Sequence, residues 1–172
     1  MRECSAGIYP CQCRQRDNLF IPVANFCQHA ANQYGGGKEA MKLVAAYNGT
    51  EEAKTALALA KQHAKLLNAT LIVISSSEGG KGEDPERIGQ IQMDLKQIEE
   101  DLEKEGIQGE VDQLARGLSP GEDIVSFAAE NDVDQVYVGI RKKSRTSKLI
   151  LGSTAQYIIL KCKCPVTSVN TN

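Results

Sequence analysis

Two hydrophobic periods take turns along this chain from residue 41 onward. Short apolar runs bounded by turn residues alternate with longer stretches in which apolar side chains recur at every third and fourth position. The first run, Lys42 to Tyr47, stops at Asn48-Gly49, a turn signal. Thr50 then fits a helix N-cap, with Glu51 and Glu52 in the favourable first turn. Ala53, Ala56, Leu57, Ala60, Ala64 and Leu67 form the apolar stripe of that helix, and Asn68 suits a left-handed stop. Thr70 to Ser75 is a β-branched strand, followed by a glycine-serine loop from Ser76 to Gly82. Asp84-Pro85 caps and opens a second helix, in which Ile88, Ile91, Leu95, Ile98 and Leu102 give the clearest helical period, and Gly106 ends it.

The alternation continues to the end of the chain. Gly109 to Leu114 reads as a short third strand. Ser119-Pro120-Gly121-Glu122 is a capping box with proline at the first helical position, and Ile124, Val125, Ala128 and Ala129 are expected to face inward. Asn131-Asp132 closes that helix, and Asp134 to Val138 forms a fourth strand ending on Gly139. A basic loop, Ile140 to Lys148, leads to a helix from about Ser153 to Cys162, expected to bury Ala155, Ile158 and Ile159. Pro165 opens a last strand within Cys164 to Val169, where a missing N–H is tolerated. The order β-α-β-α-β-α-β-loop-α-β predicts an α/β domain: a parallel sheet with helices on both faces and right-handed crossovers. A ligand belongs at the carboxyl ends of the strands, where the strand order reverses.

Residues 1 to 40 have a different texture. Their periodicity is weak, and Gly35-Gly36-Gly37 marks a hinge, so they form a separate extension ahead of a domain over 41–172, and Met41 is a plausible alternative start. Four of the six cysteines, Cys4, Cys11, Cys13 and Cys27, lie in this extension, with His29 beside the last. Their spacing matches no closed zinc pattern, so no metal site is expected. The other two, Cys162 and Cys164, read as reduced thiols behaving as small hydrophobes.

Composition narrows the function. Hydrophobic residues make up 41% and charged residues 24% of the 172, with a formal net charge of -2, which disfavours nucleic acid as a partner. No apolar run approaches the ~20 residues of a membrane span, and Met1 to Gly7 is polar with no apolar region behind it, so a cytoplasmic chain is expected. The two histidines, His29 and His63, are far apart, with His63 expected on a helix surface, and no catalytic motif is present. A binding module is therefore expected rather than an enzyme.

The candidate chemistry sits in the last forty residues. Gly139 lacks a side chain where a strand hands over to a loop, and it serves either a turn or a close ligand approach. Gly152 and Ser153 place free N–H groups and a hydroxyl at a helix N-terminus, and Thr154 adds a second hydroxyl; this suits phosphate or ordinary capping. Arg141, Lys142, Lys143, Arg145 and Lys148 concentrate positive charge between them, as a solvated face or an anion site.

Six segments of the chain, KLVAAYNGTEEAKTAL, ATLIVIS, ARGLSPGEDIVSFA, DQVYVGIR, LILGSTAQ and CPVTSV, resemble the universal stress protein family, and the similarity runs from Met41 to Val169. It implies an open, Rossmann-like sheet of order 3-2-1-4-5 of the adenine nucleotide alpha hydrolase type, dimeric through the C-terminal strand. In members that bind ATP the pattern is G-x2-G-x9-G-[ST]. Gly139, Gly152 and Ser153 match it, while Lys142 stands at the second glycine position. Asn48 stands where many members carry an acidic residue. Lys142 either crowds the site with its Cβ or pairs its ammonium with a phosphate. The resemblance implies an ATP site, with or without magnesium, in a stress-response protein. It has Asn48 near a ribose hydroxyl, backbone at Ala46, Ser75 and Ser76 along the adenine edge, and Arg141 with the residues above toward the phosphates. A dimeric scaffold of the same fold without nucleotide is the alternative, and slow ATP hydrolysis is a third reading for which the sequence offers little.

Overall fold

The strand β1, Lys42–Ala46, runs through the middle of a parallel sheet and is fully covered on both faces, with Leu43 and Val44 completely buried. A computed structural model describes residues 40–78, 84–141 and 151–171, all within the unit Glu39–Asn172. The cysteine-bearing extension of residues 1–39 and the basic residues 142–150 lie outside the described residues.

After β1 the chain forms α1 (Glu51–Leu67), β2 (Thr70–Ser76), α2 (Pro85–Lys104) and β3 (Gly109–Leu114). It then forms α3 (Pro120–Glu130), β4 (Gln135–Gly139), α4 (Ser153–Lys161) and β5 (Val166–Val169). The strands are all parallel, as the alternating pattern predicts, and lie in the order β3-β2-β1-β4-β5, the order the family resemblance implies. β1 therefore separates two directions of winding: the chain moves to one side through β2 and β3, then returns past β1 to β4 and β5. The first three helices carry the caps read from sequence. Thr50 accepts from the N–H of Ala53, Asp84 accepts from the N–H of Glu86, and Glu122 accepts both the N–H and the hydroxyl of Ser119.

Alternating strand residues point to opposite faces, which gives two cores. Leu43, Ala45, Leu71, Val73 and Tyr137 face α1 and α2. Val44, Ile72, Ile74, Val136 and Val138 face α3 and α4. The alanines of α1 (Ala53, Ala56, Ala60, Ala64) are all buried, so this helix lies close against the sheet.

Four local expectations fail. Leu67 is 52% exposed, because it falls in the last turn of α1, where Asn68 (φ 49°) already turns the chain away. Ala129 is exposed beside buried Ala128, and Ile159 is 37% exposed beside buried Ile158. Each follows a core residue by one position, which is about 100° around a helix. His63 is half-buried rather than on the open helix surface: its Nδ1 lies 2.7 Å from the hydroxyl of Tyr137, and the rings meet edge to face. A fully buried tyrosine needs a partner for its O–H, and α1 supplies it.

Candidate functional site

Five of the sequence-predicted site residues meet in one hollow. A cavity of about 180 Å³ opens at the carboxyl ends of β1, β2 and β4, where the winding direction reverses. Ala46 lines it from β1, Asn48 from the turn after β1, Ser76 from β2, Gly139 from β4, and Thr154 from the first turn of α4. This is the crevice at which open parallel sheets hold ligands. Its volume falls below the roughly 300–1,000 Å³ of pockets that enclose whole drug-sized ligands, so a ligand of that size would project outward. A larger hollow of about 560 Å³ lies between α1 and α2, but its walls carry satisfied ion pairs such as those of Lys61 and Lys65 with Glu105. It also lies away from the reversal of strand order.

The other predicted residues sit differently. Ser75 is buried in β2 and Ser153 is exposed; neither lines the hollow, nor does Gly152. Arg141 turns to α1, with its Nε 3.4 Å from Glu52 Oε1. That pairing, together with backbone hydrogen bonding at the helix N-terminus, lowers the Glu52 carboxyl below its ordinary range, the backbone bond contributing most. Lys142 lies outside the described residues.

The two pattern glycines are glycine for different reasons. A Cβ on Gly139 would stand 2.4 Å from the carbonyl carbon of Glu52 and 2.5 Å from the nitrogen of Ala53. The first turn of α1 rests directly on β4 there, and only glycine admits it. Gly152 has an ordinary extended backbone (φ -64°, ψ 148°), and a Cβ there meets nothing within 4 Å among the described residues. It holds the N-cap of α4, a position the sequence pattern gave to Ser153, and provides no side-chain cap. So α4 begins beside the hollow with no side-chain cap on its first N–H groups among the described residues, unlike the starts of α1 and α2.

Asn48 has a local task. Its Oδ1 accepts from the N–H of Thr50 at 3.2 Å and from the Thr50 hydroxyl at 2.8 Å, closing the turn into α1. Its amide nitrogen makes no such bond among the described residues and remains available as a donor.

Beneath the hollow lies a charge network that no sequence signal singled out. Asp123, on α3, is completely buried. Its carboxylate accepts from Arg116 Nε at 2.5 Å and from the Ser76 hydroxyl at 2.7 Å. Arg116 also donates to the Asp123 carbonyl at 3.0 Å and to Glu130 at 2.9 Å. Burial opposes the charge on Arg116, but the hydrogen bonds to Asp123 and Glu130 outweigh it and raise its pKa. The consequence for the hollow is directional. The Ser76 proton is committed to Asp123, so toward a ligand Ser76 Oγ acts only as an acceptor. Arg87, from the first turn of α2, also lines the hollow and makes no ion pair among the described residues. Nothing in its sequence context, a helix start after a glycine-serine loop, distinguished it from an ordinary surface arginine.

Comparison with known proteins places this geometry in context. The family model described as the universal stress protein family matches residues 40–170. A universal stress protein from Archaeoglobus fulgidus is similar in structure, with a TM-score of 0.66 and 35% identity, over 80% of this chain and 99% of that one. A second Archaeoglobus fulgidus structure, of the universal stress protein in complex with dAMP, gives a TM-score of 0.61 and 31% identity, over 76% of this chain and 98% of that one. A universal stress protein from Mycolicibacterium smegmatis is 27% identical over 129 residues, covering 74% of this chain and 95% of that protein.

Proposed function

Because the chain belongs to the universal stress protein family, we propose that it is an adenine nucleotide-binding module, ATP included, acting in a stress response. The observation that carries this reading is the hollow at the strand-order reversal, edged by Ala46, Asn48, Ser76, Gly139 and Thr154 and met by the uncapped start of α4. The base and ribose fill the hollow. The phosphates extend over the N–H groups of Ser153 and Thr154, with the hydroxyls of both residues beside them. Ser76, restricted to accepting, faces a ligand N–H, which an adenine amino group supplies. Asn48 turns its free amide to a ribose oxygen. Arg87 supplies a nearby positive charge. Arg141 acts through Glu52 rather than on the phosphate itself. The dAMP-bound relative from Archaeoglobus fulgidus supports the ligand class.

Calorimetric titration with AMP and with ATP tests the reading. Heat of binding is expected, and Gly152→Leu removes it while leaving the fold intact. Absence of heat and of any thermal shift with both nucleotides at about 1 mM, a level that would reveal binding of only about 4 kcal/mol, overturns the proposal and leaves a scaffold without nucleotide.

The same reading includes a homodimer through β5. Among the described residues this strand is the outer edge of the sheet, with only β4 beside it. A single-sided edge is a natural site for pairing with a second copy. Sedimentation at micromolar concentration is expected to give a dimer, and a monomer alone refutes it. A cytoplasmic location completes the proposal, since the unpaired Cys162 and Cys164 suit a reducing compartment.

A further inference from the structure

Away from the nucleotide hollow, two thiols face each other at the far end of α4. The helix ends at Lys161, and Cys162 leaves it in extended conformation (φ -64°, ψ 136°). The chain then bends at Lys163 and Cys164, and Cys162 Sγ comes to 3.3 Å from Cys164 Sγ. Both cysteines are partly exposed, and together they line an open hollow of about 310 Å³ with Asp132, Val133 and Lys163. Thiols that only fill a core have no need of one another or of an opening to solvent. These have both. Pro165 and the edge strand β5 follow at once, and the carbonyl of Pro165 accepts the first backbone bond from β4, Val136 N–H at 3.0 Å.

We propose that Cys162 and Cys164 form a two-electron redox site that exchanges with a low-molecular-weight disulfide and closes into an intrachain disulfide at the foot of β5. Cys162 reacts first. As a thiolate it attacks one sulfur of the small disulfide RSSR; a Cys162–SR bond forms, the S–S bond breaks, and the departing RS⁻ takes up a proton equal to the one Cys162 released. Cys164 then gives its proton to water and attacks Cys162 Sγ. The intrachain S–S bond forms, the second RS⁻ leaves, and it too is protonated. The protein loses two hydrogens, and RSSR becomes two RSH. Closing the gap from 3.3 Å to a bond of about 2.05 Å needs little more than a side-chain adjustment.

The order of attack follows from the surroundings. The Cys164 thiol is pushed up to about 12, chiefly by burial, then by its hydrogen bond to Cys162 and by the charge there. It is therefore a poor first nucleophile. Once Cys162 is capped as a mixed disulfide it no longer carries charge, and that part of the restraint on Cys164 is lifted. Lys163 lines the opening and favours a thiolate and an anionic disulfide, while Asp132 on the same rim opposes both. Intracellular disulfides of this kind are usually transient and redox-sensing.

The test uses the full reduced chain in buffers with graded ratios of glutathione disulfide to glutathione. Free thiols are alkylated after acid quenching and each cysteine is read by peptide mass. Cys162 and Cys164 are expected to lose alkylation together, by at least about tenfold at an oxidising ratio, and to regain it on reduction. Cys164→Ser is expected to trap the glutathione adduct on Cys162, and Cys162→Ser to leave Cys164 alkylatable. Unchanged alkylation of both cysteines overturns the proposal. So does a mixed disulfide on Cys162 that persists in the unaltered chain, or bridging of either residue to Cys4, Cys11, Cys13 or Cys27 instead of to its neighbour.

Discussion

Substituting alanine for Gly139 and, separately, for Gly152 separates packing from binding. At position 139 the added methyl would lie 2.4 to 2.7 Å from three backbone atoms of Glu52 and Ala53. Backbone cannot rotate aside as the tip of a side chain can, so α1 must lift from β4. Overpacking of this kind costs about 1–3 kcal/mol, and the upper end is expected with a helix backbone as the obstacle. A loss of about 3 kcal/mol lowers the melting temperature of a domain this size by roughly 10 °C. Because Ala53 and Gly139 both line the hollow, nucleotide affinity falls as well. At position 152 the methyl meets nothing among the described residues, and the backbone angles suit any residue. Losing glycine at an N-cap costs a few tenths of a kcal/mol or more, and the stiffer unfolded chain offsets about 0.4–1 kcal/mol. Stability should therefore stay within about 0.5 kcal/mol, while nucleotide binding weakens as the methyl intrudes on the phosphate. Circular dichroism melts and calorimetric titration of both variants read the two effects. A Gly139→Ala protein that melts with the original one refutes the contact between α1 and β4 as the reason for that glycine.

Three further outcomes follow from the site and the caps. AMP should bind about tenfold more tightly than IMP, the value of one hydrogen bond to an acceptor-only Ser76, and Ser76→Ala should erase the difference; equal affinities in the original chain contradict the assignment. Asp123→Asn removes the buried partner of Arg116 and should cost about 2 kcal/mol, seen as a lower urea midpoint with unchanged slope. Glu122 is held below its ordinary range by the hydroxyl and then the N–H of Ser119, so its stabilisation is complete above its unfolded pKa of about 4.3 and fades as pH falls through the lower folded value. Glu105, lowered first by Lys65 and then Lys61, adds to the same acid limb. Glu122→Gln should flatten the dependence of melting temperature on pH below about 4.3, and an unaltered slope would show that the capping carboxylate is not involved.

The sheet was legible because its signals are local. Thr50, Asp84 and Glu122 cap where their side chains reach a neighbouring N–H or hydroxyl, and Asn68 adopts the left-handed turn its side chain tolerates. What escaped depends on contacts between distant segments. His63 and Tyr137 are 74 positions apart, and neither alone announces the other. Asp123 reads as a first-turn acid on α3, and only the fold brings Ser76 and Arg116 to it. Gly139 reads from sequence as a turn or a ligand approach, and nothing local announces that the start of α1 also presses on it. Ile159 and Ala129 show the limit of periodicity itself, since a stripe one residue wide cannot say which of two adjacent apolar residues falls at its edge.

The central place of β1 has a consequence for biosynthesis. β1, the earliest strand among the described residues, gains its second neighbour only when a segment 92 positions later arrives, as the bond from Lys42 N–H to Asp134 shows. Of the five sequence-predicted residues that line the hollow, three are made early, but Gly139 and Thr154 are contributed last. A nascent chain released short of α4 therefore displays a half-built crevice, and any occupant rewards only the finished polypeptide.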